Sequence, residues 1–181
     1  MQYIPSERVV QCDAAIRHVG TNAIPYLLTW VRYETPGWKI ALYKAINPLL
    51  TTLKSSWRLS DEQHIRRANG AAYGLKALGV EAEGTIPDLT LILNDARASA
   101  SAQRAANVLG GLGTKGLQPI LVVLTNRQAN LELRYFLAGE IEMVQTNRAA
   151  IPALQALLSD YDLRMRRFAT NAIQSLNPKA L

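Results

Sequence analysis

Apolar positions recur in four nearly identical phrases: AIPYLLTWV at 23–31, TIPDLTLIL at 85–93, LQPILVVLT at 117–125 and AIPALQALL at 150–158. Counted from each proline, the residues two, five and six positions later are Leu27, Trp30 and Val31; Leu89, Ile92 and Leu93; Leu121, Leu124 and Thr125; and Leu154, Leu157 and Leu158. At ~100° per residue such a triplet shares one face, so each phrase predicts an amphipathic helix. Pro25, Pro87, Pro119 and Pro152 mark the helix starts, because proline in a first turn breaks no hydrogen bond and already has helical φ. The prolines stand 62, 32 and 33 residues apart. A period in the low thirties predicts stacked helical hairpins, with an insertion in the first interval.

A second amphipathic stretch precedes each proline. The combined pattern predicts helices over 7–19, 22–33, 38–54, 60–79, 85–94, 99–111, 116–126, 130–144, 148–158 and 162–176. These make one all-α domain over 1–181, a right-handed α-α superhelix (solenoid) of hairpins. Residues 34–66, with Pro36-Gly37, Trp38, Tyr43 and Trp57, depart from the repeat and are expected to supply one extra helix and an exposed linker around Ser55 to Asp61. The last stretch, DLRMRRFATNAIQSL, has no following partner, and terminal repeats need a polar outer face, so it is expected to cap the array.

The segment GGLGTKG at 110–116 spells G-x-G-x-x-G, a dinucleotide-binding loop. That motif requires a preceding strand, and what precedes it is the Ala-rich helical stretch SASAQRAANVL. The repeat supplies another role: Gly113 is a helix stop, equivalent to Gly20 and Gly79 in the earlier units. Gly116 is expected in the loop, and Gly110, Gly111, Gly70 and Gly74 at places of close helix approach.

With 181 residues, 49% of them hydrophobic, the chain can bury a sizeable core. No apolar run is long enough to span a membrane, and MQYIPSERVVQCD lacks the cationic head and apolar core of a leader. The expectation is a soluble chain, cytoplasmic by default, with its compartment left open by the single Cys12. The net charge of +6 divides as +4, 0 and +2 over residues 1–60, 61–120 and 121–181. Charge so spread, with acids interleaved, favours a mixed solvated surface over a nucleic-acid stripe.

The helix-opening proline, the L-x-x-L core, and an Asp or Asn followed by an Arg in the next helix (Asn94-Asp95 then Arg104, Asn126 then Arg134, Asp160 then Arg164 or Arg167) resemble the HEAT repeats, including the short HEAT-like repeats of phycobilisome lyases. AIRHVGTNAIPYLLTWVRYETPGWK looks like the opening of uncharacterised bacterial HEAT-repeat proteins. The resemblance covers almost the whole chain and implies the solenoid fold. It says little about function, since such arrays serve many roles.

Chemistry is sparse. His18 stands six positions from Cys12, a spacing that does not share a helical face, and neither H-x-x-x-H nor C-x-x-C occurs. Glu81 with Glu83 and Glu140 with Glu142 read as solvated charges. The recurring Arg67, Arg104, Arg134 and Arg167 read as a structural ladder to loop carbonyls or to Asp95 and Asp160. No catalytic residue, metal or cofactor is expected.

The expected function is a non-enzymatic scaffold that binds another protein through the concave face. Two alternatives come from the resemblance. One is nucleic-acid backbone binding like the HEAT-like DNA glycosylases, which would need Trp30, Trp38 and Trp57 to converge with Asp13 and Glu34. The other is partner binding like the bilin lyases. Four and eight positions after each proline stand the expected partner-binding rows, Thr29, Leu91, Val123 and Ala156 beside Tyr33, Asp95, Arg127 and Asp160. Were Leu91 and Val123 to pack as core instead, the surface would be sought around Trp38 and Trp57.

Overall fold

A computed structural model describes residues 14–53, 56–95, 99–143 and 148–176. Among them the regular structure is all helical, without strands. Helix α1 (14–19) passes through a 3-10 turn, Gly20–Ala23, into α2 (Ile24–Val31), followed by α3 (Gly37–Thr52) and α4 (Glu62–Leu78). A second turn, Gly79–Thr85, leads into α5 (Ile86–Leu93); then come α6 (Ser99–Gly111), α7 (Gly113–Thr125) and α8 (Leu131–Met143). The turn Arg148–Ala150, α9 (Ile151–Leu157) and α10 (Leu163–Leu176) follow.

The helices form two layers. α4, α6, α8 and α10 touch in that order in one layer; α5, α7 and α9 touch in the other, and α2 packs on α4. Buried alanines, Ala68, Ala71 and Ala72 of α4 and Ala102, Ala105 and Ala106 of α6, line the first layer. Small side chains there let neighbouring helices approach closely. Between the layers lie Leu75, Leu89, Leu109, Ile120, Leu137 and Leu154, each fully buried. α3 stands apart, since none of its residues is buried.

Local sequence sets most boundaries. Pro25, Pro87 and Pro152 occupy the first two positions of α2, α5 and α9. Asn130 and Asp162 cap α8 and α10, each side-chain oxygen accepting two N–H groups at 2.8–3.2 Å. Gly20, Gly79 and Gly113 have φ of 62°, 56° and 70°, the shared left-handed stop that the repeat predicts. Gly113→Ala should therefore cost on the order of 1 kcal/mol through backbone strain. A thermal melt should fall by roughly 2–4 °C, and calorimetry should find no NAD or ATP affinity in parent or variant.

The third hairpin departs from expectation. α7 opens at Gly113 rather than near 116, so Pro119 lies inside the helix and Gly116 is buried in its first turn, not in a loop. A Cβ on Gly116 would collide with the Leu109 carbonyl oxygen and lie 2.9 Å from its carbon and 3.0 Å from Leu112 Cβ. The crowding expected at Gly70 is absent, and a Cβ on Gly110 would meet only ordinary contacts from 3.7 Å outward. Gly74 does sit close, 3.4 Å from the methyls of Ile16 and Leu27. Gly111 would touch only the flexible Lys76 side chain.

Candidate functional site

The outer side of the second layer carries part of the predicted rows. Thr29 and Ala156 are exposed, and Leu91 is 69% exposed. Val123 does not join them: it is 4% exposed, because α7 is flanked by α5, α6, α8 and α9. Its neighbour Val122, at 66%, takes the outward position. In the second row Asp95 and Arg127 are exposed and Tyr33 is half-buried, but Asp160 is buried at 3%. Polar contacts run between successive second helices: Arg32 pairs with Asp88 at 2.7 Å, and Arg127 Nη2 donates to Ser159 O at 2.7 Å.

Asp160 faces inward because of the arginine ladder. Arg134 is fully buried, donating from Nε to Leu124 O at 2.8 Å and from Nη2 to Asp160 Oδ2 at 2.5 Å. Burial alone would raise the Asp160 pKa, but the Arg134 hydrogen bond and the Asp162 N–H hold it below its ordinary value. Arg104, also buried, donates to the carbonyls of Val31 and Tyr33, closing the C-terminal end of α2. Its pKa is lowered by burial, which the Glu34 charge partly opposes. Arg166 rather than Arg167 bonds the next corner, donating to Asp160 O at 2.7 Å. Arg67 instead lies over the Trp30 ring at 5.5 Å.

A different constellation gathers at the base of α3, around Asp61, which the repeat pattern placed only in the linker. Asp61 stands at the N-terminus of α4, yet its side chain makes no capping bond there. It accepts instead from Tyr33 Oη and from Lys39 Nζ at 3.0 Å, and His64 Nδ1 lies 3.1 Å away. The ends of α2 and the starts of α3 and α4 are thus tied to one carboxylate. Tyr33 chiefly, then Lys39, overcomes burial and brings Asp61 down to about 2. The same bonds raise Tyr33 and Lys39. The Tyr33 ring stacks on His64 at 5.3 Å, with Trp30 beside both.

Beyond this anchor, α3 and the following linker enclose a groove of ≈ 680 Å³, lined by Ile40, Tyr43, Lys44, Asn47, Arg58 and Leu59 among others. Asn47 holds the linker as a backbone would, donating to Leu59 O at 3.0 Å and accepting from Leu59 N at 2.9 Å. Residues 56–60 are exposed as predicted, whereas Asp61 is buried and Ser55 lies outside the described residues.

The remaining candidate groups stay dispersed. Cys12 and Asp13 lie outside the described residues, and His18 is exposed. Glu34 accepts the Ser101 N–H at 2.5 Å, while Trp38 and Trp57 are 67% and 79% exposed. Trp30 is half-buried against the core, and the groove beside α3 is lined by none of Trp30, Glu34, Trp38 and Trp57. Glu83 pairs with Lys115 at 2.5 Å, and Glu140 accepts from Asn107 at 3.3 Å. No group of three His, Cys, Asp or Glu residues is placed to hold a metal among the described residues. Comparison with protein-family models, with curated proteins and with solved structures found no match.

Proposed function

We propose that the chain is a HEAT-like α-solenoid, a right-handed superhelix of hairpins that serves as a non-enzymatic scaffold for another protein. The fold part of this reading is supported by helices that contact their neighbours in chain order within two layers. It is also supported by prolines opening α2, α5 and α9, and by left-handed glycines ending the helices before α2, α5 and α7. The Arg104 and Arg134 bonds to helix-end carbonyls add a recurring brace between units.

The observation that carries the binding role is a pair of apolar side chains without core duty on adjacent helices, Leu91 of α5 and Val122 of α7, 69% and 66% exposed. Thr29 and Ala156 extend the row, with Tyr33, Asp95 and Arg127 at its polar margin. An apolar centre with a polar rim is the make-up of a protein-binding surface. Val122 replaces Val123 in this surface, and Asp160 leaves it for the Arg134 pair.

Leu91→Glu with Val122→Glu tests the assignment. The double variant should keep its helicity, melt within roughly 2 °C of the parent, as surface changes do, and lose the protein that the parent captures from its native cell extract. A capture profile unchanged by the substitutions sinks the surface. Unfolding would return both residues to the core.

A further inference from the structure

The groove beside α3 joins apolar walls to uncommitted cations. Ile40, Tyr43, Lys44, Asn47, Pro48 and Thr51 line it from α3, at the steps of three and four that share one side of a helix. The linker and α4 supply the other wall with Arg58, Leu59 and Ile65. Ile40, Leu59 and Ile65 are 42%, 38% and 40% exposed, so the aliphatic lining is open to whatever enters. At ≈ 680 Å³ the groove has the size of a small-molecule site, typically about 300–1,000 Å³.

Several of its polar side chains are already spent within the protein. Asn47 is bonded to both the N–H and the carbonyl of Leu59, and the Thr51 hydroxyl donates to the Asn47 carbonyl. Asp61, the one carboxylate among the described lining residues, accepts from Tyr33 and Lys39. Lys44 and Arg58 make no hydrogen bond or ion pair among the described residues. The Asn47–Leu59 clamp sets where these two cations stand: Lys44 lies one turn before Asn47 on the same side of α3, and Arg58 is the chain neighbour of Leu59 on the facing wall. Two like charges brought to one stretch of groove, without a counter-charge, call for an anion.

We propose that the groove binds an amphipathic monocarboxylate, its carboxylate held between Lys44 and Arg58 and its aliphatic or aryl body laid along Ile40, Leu59 and Ile65. An inorganic anion would answer the cations and leave those aliphatic walls bare. An extended peptide pairs through backbone groups, and the Leu59 N–H and carbonyl that it would use are taken by Asn47. A second copy would bring the same cations to the contact. The organic acid alone matches charge and walls together. The groove shares no residue with the Leu91 and Val122 surface, so either assignment stands or falls alone.

The test is titration calorimetry of the full chain with octanoate, set against 1-octanol, inorganic phosphate and hexaglutamate. The parent should take up octanoate saturably, bind the alcohol of the same chain about tenfold or more weakly for want of the charge-assisted contacts, and give no heat with phosphate. Lys44→Gln with Arg58→Gln should lower octanoate affinity by the same factor and leave the alcohol unaffected. Ile40→Gln with Ile65→Gln should weaken both ligands, by about tenfold. Neither pair should move the melt, because all four side chains are exposed. Leu49→Glu with Leu53→Glu, on the outer side of α3, and Leu91→Glu with Val122→Glu should bind octanoate like the parent. The proposal is overturned if the parent takes up no octanoate, if octanol binds as well, or if the cation variant keeps the parent's affinity. It is equally overturned if phosphate displaces octanoate, if hexaglutamate binds more tightly, if the Leu49 and Leu53 variant loses octanoate, or if the cation variant changes the oligomeric state in place of octanoate affinity.

Discussion

Gly116→Ala will destabilise the fold by roughly 3 kcal/mol, the upper part of the range for forced overpacking, and lower the melting temperature by roughly 6–12 °C. The atom that the new methyl would strike is the Leu109 carbonyl oxygen, part of the α6 backbone, and Leu112 Cβ stands at 3.0 Å on another side. A side chain end could swing away; a helix backbone cannot, so α6 and α7 must separate. These two helices form one of the main contacts of the molecule, and both contribute to its core. Gly110→Ala is the control. It sits in the same helix hairpin with no contact nearer than 3.7 Å, and alanine favours a helix interior over glycine by about 0.5–1 kcal/mol. Equal melting temperatures for the two variants would refute the close approach at Gly116.

Asp160→Ala should cost about 3–5 kcal/mol, because it leaves the charge of Arg134 buried without its carboxylate. Arg134 has no exposed surface, and its Nη1 already lacks a hydrogen-bond partner, so Nη2 has only Asp160 with which to share the burden. Denaturant titration should show the loss, and Arg134→Met with Asp160→Leu should recover most of it, since an apolar pair removes the stranded charge. The pair also sets an acid dependence. The folded pKa of Asp160 lies below its ordinary value, so its contribution is complete above the unfolded pKa near ~3.9 and is lost as pH falls through the lower folded value. Asp162 is also lowered, first by the Met165 N–H it caps, and Asp61 falls to about 2. Stability should therefore drop as pH falls below about 4, and Asp160→Ala should lose part of that slope.

The candidate surfaces were only partly legible in sequence. Leu91 and Thr29 fell on the outward side as the ~100° step requires. Val123 did not, although it holds the same place relative to its proline. Position relative to a proline is a local coordinate, and whether a flank is covered depends on how many helices lie beside it. For α7 the neighbours are α5, α6, α8 and α9. Asp61 went unrecognised for a related reason. Its place in the stretch reads as exposed linker, but the Tyr33 hydroxyl reaches it from just beyond α2 and the Lys39 ammonium from α3, which sequence spacing alone does not bring together.

By itself the sequence determined what short-range physics controls. Prolines fixed the starts of α2, α5 and α9, left-handed glycines ended the helices before α2, α5 and α7, and the three-and-four spacing of Leu and Ile chose the buried faces. Those choices depend on φ, on the helical step and on the backbone hydrogen bonds of one turn, all within a few residues. Tertiary structure alone decided the rest: which glycine is crowded, Gly116 rather than Gly110, which carboxylate turns inward to an arginine, and which apolar helix stays uncovered. α3 carries Trp38, Leu42 and Leu49 along one side, and nothing in its own sixteen residues says that no other helix will lie on it. Burial is a property of what arrives from elsewhere in the chain, and the pattern of one segment records only its readiness to be covered.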